Sequence, residues 1–267
     1  MSRLSQRVSS QAFFAVFALL FVSSAAMTIV WGAPMSSMDE MPMPGGWSMS
    51  MTWMRLPGET WFAATASFVG MWTAMMIAMM LPSLVPMLWR YRAAVAGSLA
   101  TTATYLSVIA GAGYFLVWAL LGAAIFPIGA VLMALEMQHP ALARLTPAAT
   151  GMAMLVGGGL QFTLWKARHL ACCRAGSACC RRLPARVGTA WRYGMSLGIH
   201  CVHCCAGLTA VLLISGVMDL RAMAVVTAAI TLERLASGGD RMARVIGAAM
   251  ICAGLFLTIR AVIAGLA

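Results

Sequence analysis

Apolar residues fill long unbroken runs along the chain, and most charged residues gather between the runs. Runs of about 20 apolar residues have the length that a helix needs to cross a hydrocarbon layer about 30 Å thick. The pattern predicts spans at 11–31, 61–89, 101–126, 147–167, 193–216, 219–236 and 245–265. Between them lie a long connection at 34–58 and a second at 168–192. The alternating strands of a membrane barrel are absent. The expected fold is therefore all-α, a polytopic transmembrane helix bundle of about seven spans forming one integral membrane domain over residues 1–267. The first run follows Arg3 and Arg7 and reaches the small residues 23–26, as a signal peptide would. It continues to Trp31, far enough to cross, so it is expected to be retained; cleavage leaves six spans.

Composition strengthens this reading: 62% of the residues are hydrophobic, 9% are charged, and the mean hydropathy is +0.88. The net charge of +11 changes meaning once it is placed on the spans. One side collects 14 Lys and Arg, including Arg90, Arg92, Lys166, Arg168, Arg174 and Arg241, and the other only Arg55, Arg144, Arg221 and Arg260. That asymmetry is the positive-inside pattern and sets the N-terminus in the cytoplasm. The basic loops are expected to meet membrane lipid rather than nucleic acid. All eight cysteines fall in cytoplasmic segments or inner halves of spans, which excludes an extracytoplasmic disulfide framework.

The candidate chemistry is soft. Six consecutive residues, His200-Cys201-Val202-His203-Cys204-Cys205, hold two imidazoles and three thiols inside an otherwise apolar span. On a helix, His200, His203 and Cys204 fall within about 100° of one another, as do Cys201, Cys204 and Cys205, so either set offers three ligands from one helix. The second span carries Met71, Met75, Met76, Met79 and Met80, followed by Pro82, which should bend the helix and free the carbonyl of Ala78. Counting about 1.5 Å per residue from the inner boundary puts residues 200–205, Met76, Met80, Gln161 and Cys252 in one layer roughly 10–20 Å deep. The 34–58 connection adds seven methionines, among them Met38, Met41, Met43, Met49 and Met51, a poor choice for a solvated loop unless the thioethers bind something. Thioether, thiolate and imidazole together select Cu(I), with Zn(II) as the alternative that methionine argues against. Cys172, Cys173, Cys179 and Cys180 mark a further basic, Cys-rich loop, and Glu233 is expected to pair with Arg234 or Lys166 or to serve ion passage. No phosphate-binding glycine loop is present to drive transport with ATP.

The segments MWTAMMIAMMLPSLVPM, QFTLWKARHLACCR, GIHCVHCCAGL and VMDLRAMAVVTAAITLER, in this order, resemble domain-of-unknown-function family 2182, bacterial integral membrane proteins predicted to bind metal, some labelled copper chaperone. The resemblance spans roughly residues 30–265. It implies that Met75, Met76, Met79, Met80, Lys166, Cys172, Cys201, Cys204, Cys205 and Glu233 belong to the family's motifs. His203 and Ala206 flank the Cys pair where the family tends to have a glycine and an aromatic residue; Leu164 replaces a proline and Arg234 a lysine.

The expected function is Cu(I) binding in the bacterial inner membrane for copper handling or delivery. An extracytoplasmic copper donor or acceptor protein would be the partner, and ligand exchange rather than catalysis the chemistry. Two other readings stay open: a membrane thiol–disulfide oxidoreductase using Cys201 and Cys204, and an accessory subunit whose sulfur residues only pack.

Overall fold

The computed structural model describes residues 3–38, 41–42, 48–49, 53, 58–95, 100–139, 146–175, 185–217 and 219–266. Eight helices occur among them: α1 (Arg3–Met38), α2 (Trp61–Ala94), α3 (Ala100–Gln138), α4 (Thr146–Leu160), α5 (Leu164–Ala175), α6 (Val187–Ser215), α7 (Leu220–Leu235) and α8 (Gly239–Leu266). A ribbon of two-residue strands, β1 (Met41–Pro42) and β2 (Ser48–Met49), pairs Met41 with Met49 and Pro42 with Ser48.

Among the described residues, five helices are long and apolar enough to cross a membrane: Ser10–Trp31 within α1, α2, Thr101–Leu135 within α3, α6, and Gly239–Ile263 within α8. The all-α expectation holds. The span at 147–167 is corrected to two helices, because the chain breaks at Gln161–Thr163. There the amides of Gln161, Phe162 and Thr163 turn back to the carbonyls of Gly158, Gly159 and Leu160 at 3.1, 3.1 and 3.2 Å. Thr163 Oγ1 donates to Leu160 O at 2.7 Å and accepts from the Lys166 amide at 3.3 Å, closing one helix and opening the next. With 15 and 16 residues, α4 and α7 reach about 22–24 Å, short of the roughly 30 Å of a hydrocarbon core. Two ends also moved outward: α3 runs through Pro127 to Gln138, and α1 through Pro34 to Met38. Asp219 caps α7, accepting from the amides of Arg221 and Ala222 at 2.8 and 3.2 Å. That gives this span-end carboxylate a structural role.

Small residues decide which helices touch. A Cβ on Gly194 of α6 would strike the Ala110 backbone of α3, and one on Gly113 would stand 2.8 Å from Trp191 O. A Cβ on Gly198 would come within 2.9 Å of Tyr114 O, so α3 and α6 cross backbone to backbone. On the other side of the molecule, glycines 151 and 158 of α4 meet glycines 254 and 247 of α8 in the same way, and Gly157 meets Gly207 of α6. In contrast, α2 faces the cysteines of α6 through long side chains, which leaves room for a layer of sulfur between them. Gly194→Val is expected to cost about 1–3 kcal/mol or more through overpacking. A detergent melt should show a lower midpoint than Gly70→Val, whose Cβ meets nothing within 4 Å. Equal midpoints would refute the close crossing.

Candidate metal centre

Met75, Met76, Met79 and Met80 stand on one face of α2, about 140° wide by helical geometry. All four are buried, none more than 2% exposed. Pro82 and Pro86 lie inside the same continuous helix, and Ser83 turns its hydroxyl back onto Met80 O at 3.0 Å. Across from this face, α6 buries Cys201, Cys204 and Cys205, and α5 contributes Cys173. The sulfur atoms form a connected chain. Met80 Sδ lies 3.9 Å from Cys201 Sγ, which lies 4.0 Å from Cys205 Sγ. Cys205 Sγ is 3.6 Å from Cys204 Sγ, which is 3.8 Å from Cys173 Sγ. The Tyr114 hydroxyl of α3 donates to Cys201 Sγ at 2.8 Å.

A cation is built into this cluster. The Arg234 guanidinium of α7 is buried, with Nη2 at 3.2, 3.6 and 3.8 Å from the sulfurs of Cys204, Cys205 and Cys173. Its Nη1 donates to Ser83 Oγ at 3.2 Å. The adjacent Glu233 turns the other way and pairs with Lys166 Nζ at 2.7 Å, both side chains buried. Of the partners expected for Glu233, Lys166 is the one found. Arg174 of α5 also donates to the carbonyls of Ala236 and Ser237 at 2.6 and 3.2 Å, holding α5 to the end of α7.

The two faces expected of residues 200–205 separate. The cysteines turn inward to α2 and α7, whereas His200 and His203 turn toward His169 of α5, with Trp165 beside them. Cys204, expected to serve both faces, contacts sulfur and Arg234. Cys252 departs from the expected layer: it is exposed on α8, a helix held against α4 by glycine contacts. Depth alone placed it with the others, but depth carries no information about azimuth. Gln161 is buried at the α4–α5 break, and neither of its amide atoms has a hydrogen-bond partner among the described residues. Cys172, which the resemblance assigned to a motif, is exposed, and its neighbour Cys173 takes the inward position. Met38 ends α1, and Met41 and Met49 pair through their backbones. Met43 and Met51, with Cys179 and Cys180, lie outside the described residues. His139 is exposed.

The donor set suits a soft monovalent ion. Three sulfurs in a plane about 2.3 Å from one ion stand about 4.0 Å apart. The Met80–Cys201 and Cys201–Cys205 separations, 3.9 and 4.0 Å, are two of the three such spacings. Among the described residues no group of three or more His, Cys, Asp or Glu is disposed to hold a metal ion, so a three-donor site here needs a thioether. The six described cysteines are free thiols.

Sequence reasoning missed Arg234, Ser83, Tyr114 and His169 as neighbours of this centre. A signal existed for two of them. A guanidinium and a phenol inside apolar runs each need a partner, and the thiols supply it.

A family model described as PpoB2, copper chaperone, matches residues 69–257, which contain every residue of the sulfur cluster. No curated protein and no solved structure matches the chain.

Proposed function

The chain belongs to the PpoB2 copper-chaperone family, and from that premise we propose that it binds Cu(I) as cargo at Met80, Cys201 and Cys205 and passes it on by ligand exchange. Cys204 and Cys173 continue the sulfur path from this triad toward α5. The observation that carries the reading is the thioether: Met80 Sδ sits 3.9 Å from Cys201 Sγ and adds a soft donor to the buried thiols. A thioether takes no part in thiol–disulfide exchange but is a Cu(I) donor, which favours copper handling over the oxidoreductase reading. It equally disfavours Zn(II), for which methionine is a poor ligand. Met75, Met76 and Met79 form the apolar, polarisable wall of the site. The 34–58 segment, with Met38, Met41, Met43, Met49 and Met51, is the capture point for copper from an extracytoplasmic donor. The bacterial inner membrane is the setting, with the Arg-rich ends of the helices in the cytoplasm.

Titration of purified protein with Cu(I) against a competing chelator tests this. Cys201→Ser is expected to weaken binding at least tenfold, about 1.4 kcal/mol, and Met80→Leu by a smaller factor at nearly unchanged volume. Wild-type affinity in the Cys201→Ser/Cys205→Ser double variant would remove the site.

A further inference from the structure

One phenol stands against the sulfurs. The Tyr114 hydroxyl of α3 donates to Cys201 Sγ of α6 at 2.8 Å, and both side chains are fully buried. This is its one hydrogen bond among the described residues. The close crossing of α3 and α6 sets the contact: a Cβ on Gly198, three residues before Cys201, would stand 2.9 Å from Tyr114 O. Backbones that approach so closely carry the phenol across the helix interface to the sulfur. The choice of acceptor is informative. A buried phenol needs a hydrogen-bond partner, yet a neutral thiol is a weak acceptor. The bond therefore contributes little while Cys201 keeps its proton.

We propose that Tyr114 is a positioning residue for the cargo: it acts through Cys201, donating to the sulfur that ion binding turns into a thiolate. The proposal rests on the copper reading above and names the residue that favours the loaded site over the empty one. In the empty site Cys201 directs its S–H to Met80 Sδ at 3.9 Å, while its sulfur accepts from Tyr114. When Cu(I) binds, the S–H bond breaks, the proton leaves to water, and the electron pair that held it goes to the ion. The O–H···S bond then has an ionised acceptor, and such bonds are roughly twice as strong as neutral ones. That gain belongs to the loaded site alone, so it adds to affinity and not to the stability of the empty fold. The guanidinium of Arg234 does not duplicate it. Its Nη2 reaches the sulfurs of Cys204, Cys205 and Cys173. The two donors thus divide the thiols between them, and Cys201 falls to the phenol.

The test uses the full chain in detergent and removes one oxygen. Tyr114→Phe is expected to weaken Cu(I) binding about tenfold in competition with a chelator, because a charged acceptor is exchanged for none. It should also move the sulfur-to-copper charge-transfer band to longer wavelength, since a thiolate without its donor gives up electrons more readily. A purely structural phenol would lower the thermal midpoint and leave that band in place. The effect must also run through Cys201: in a Cys201→Ala background, Tyr114→Phe should cause no further loss. If Cys201→Ala weakens binding but Tyr114→Phe leaves affinity and band unchanged, the copper reading stands and this proposal is overturned. An equal loss on Tyr114→Phe with and without Cys201 overturns it as well. Wild-type affinity in Cys201→Ala is a different failure: it removes Cys201 from the copper site, and the role of the phenol falls with it.

Discussion

Replacing Arg234 with methionine is expected to weaken Cu(I) binding by about two orders of magnitude, with the helical content unchanged. The reason is charge. Cu(I) held by two thiolates carries one net negative charge, and around Cys201, Cys204 and Cys205 the surroundings are apolar and buried. The guanidinium at 3.2 Å from Cys204 and 3.6 Å from Cys205 supplies the compensating positive charge without entering the Met80–Cys201–Cys205 triad. Leaving a buried charge without its partner costs about 3–5 kcal/mol, and about 1.4 kcal/mol corresponds to tenfold in affinity. Lysine at this position restores the charge but not the planar fork that reaches Ser83 and three sulfurs together. Arg234→Lys should therefore fall between wild type and methionine, losing about tenfold. Competition titrations of the three proteins under one set of conditions measure the order. A methionine variant that binds Cu(I) more tightly than wild type would mean that the guanidinium competes with the cargo for sulfur, and the charge argument would fail.

The parts of this centre that follow from periodicity were legible in the sequence. A helix at 3.6 residues per turn puts Cys201, Cys204 and Cys205 on one face and gathers Met75, Met76, Met79 and Met80 on another. Both faces are buried, and sulfur from one touches sulfur from the other. Periodicity does not say which neighbour a face meets. It therefore left His200 and His203 grouped with the thiols, although the partner that draws them aside, His169, lies in a different segment. Nor does depth fix azimuth, which is why Cys252 shared a layer with the cluster on paper and stands exposed on α8. The break at Gln161–Thr163 was hidden by its own composition: Gly157, Gly158 and Gly159 read as apolar and small, yet at the first two α4 presses against α6 and α8. Breaking the helix there lets α5 leave the line of α4 and carry Lys166, His169 and Cys173 to the flank of α6 and α7. Without the break, Cys173 would not reach Cys204.

The placement of α5 depends on a second buried charge pair, and its removal is expected to be the largest stability effect in the chain. Lys166 Nζ meets Glu233 Oε2 at 2.7 Å with side chains 5% and 2% exposed, and Glu233 Oε1 has no hydrogen-bond partner among the described residues. Lys166→Met leaves a carboxylate buried alone, and breaking such a pair costs about 3–5 kcal/mol. Removing both charges is a different matter, because two apolar side chains of similar volume are often as stable as a buried ion pair. The Lys166→Met/Glu233→Leu double variant should thus recover most of the loss, and unfolding of all four proteins in denaturant gives the coupling directly. The same cycle separates bracing from ion passage. If the pair only holds α5 against α7, the double variant recovers Cu(I) affinity together with stability, because Cys173 and Arg234 return to their places. If Glu233 carries ions, stability returns while copper transfer to an acceptor chelator stays lost. The geometry favours bracing: Glu233 points to Lys166 while its neighbour Arg234 points to sulfur. One turn of α7 thereby fixes both α5 and the thiol cluster.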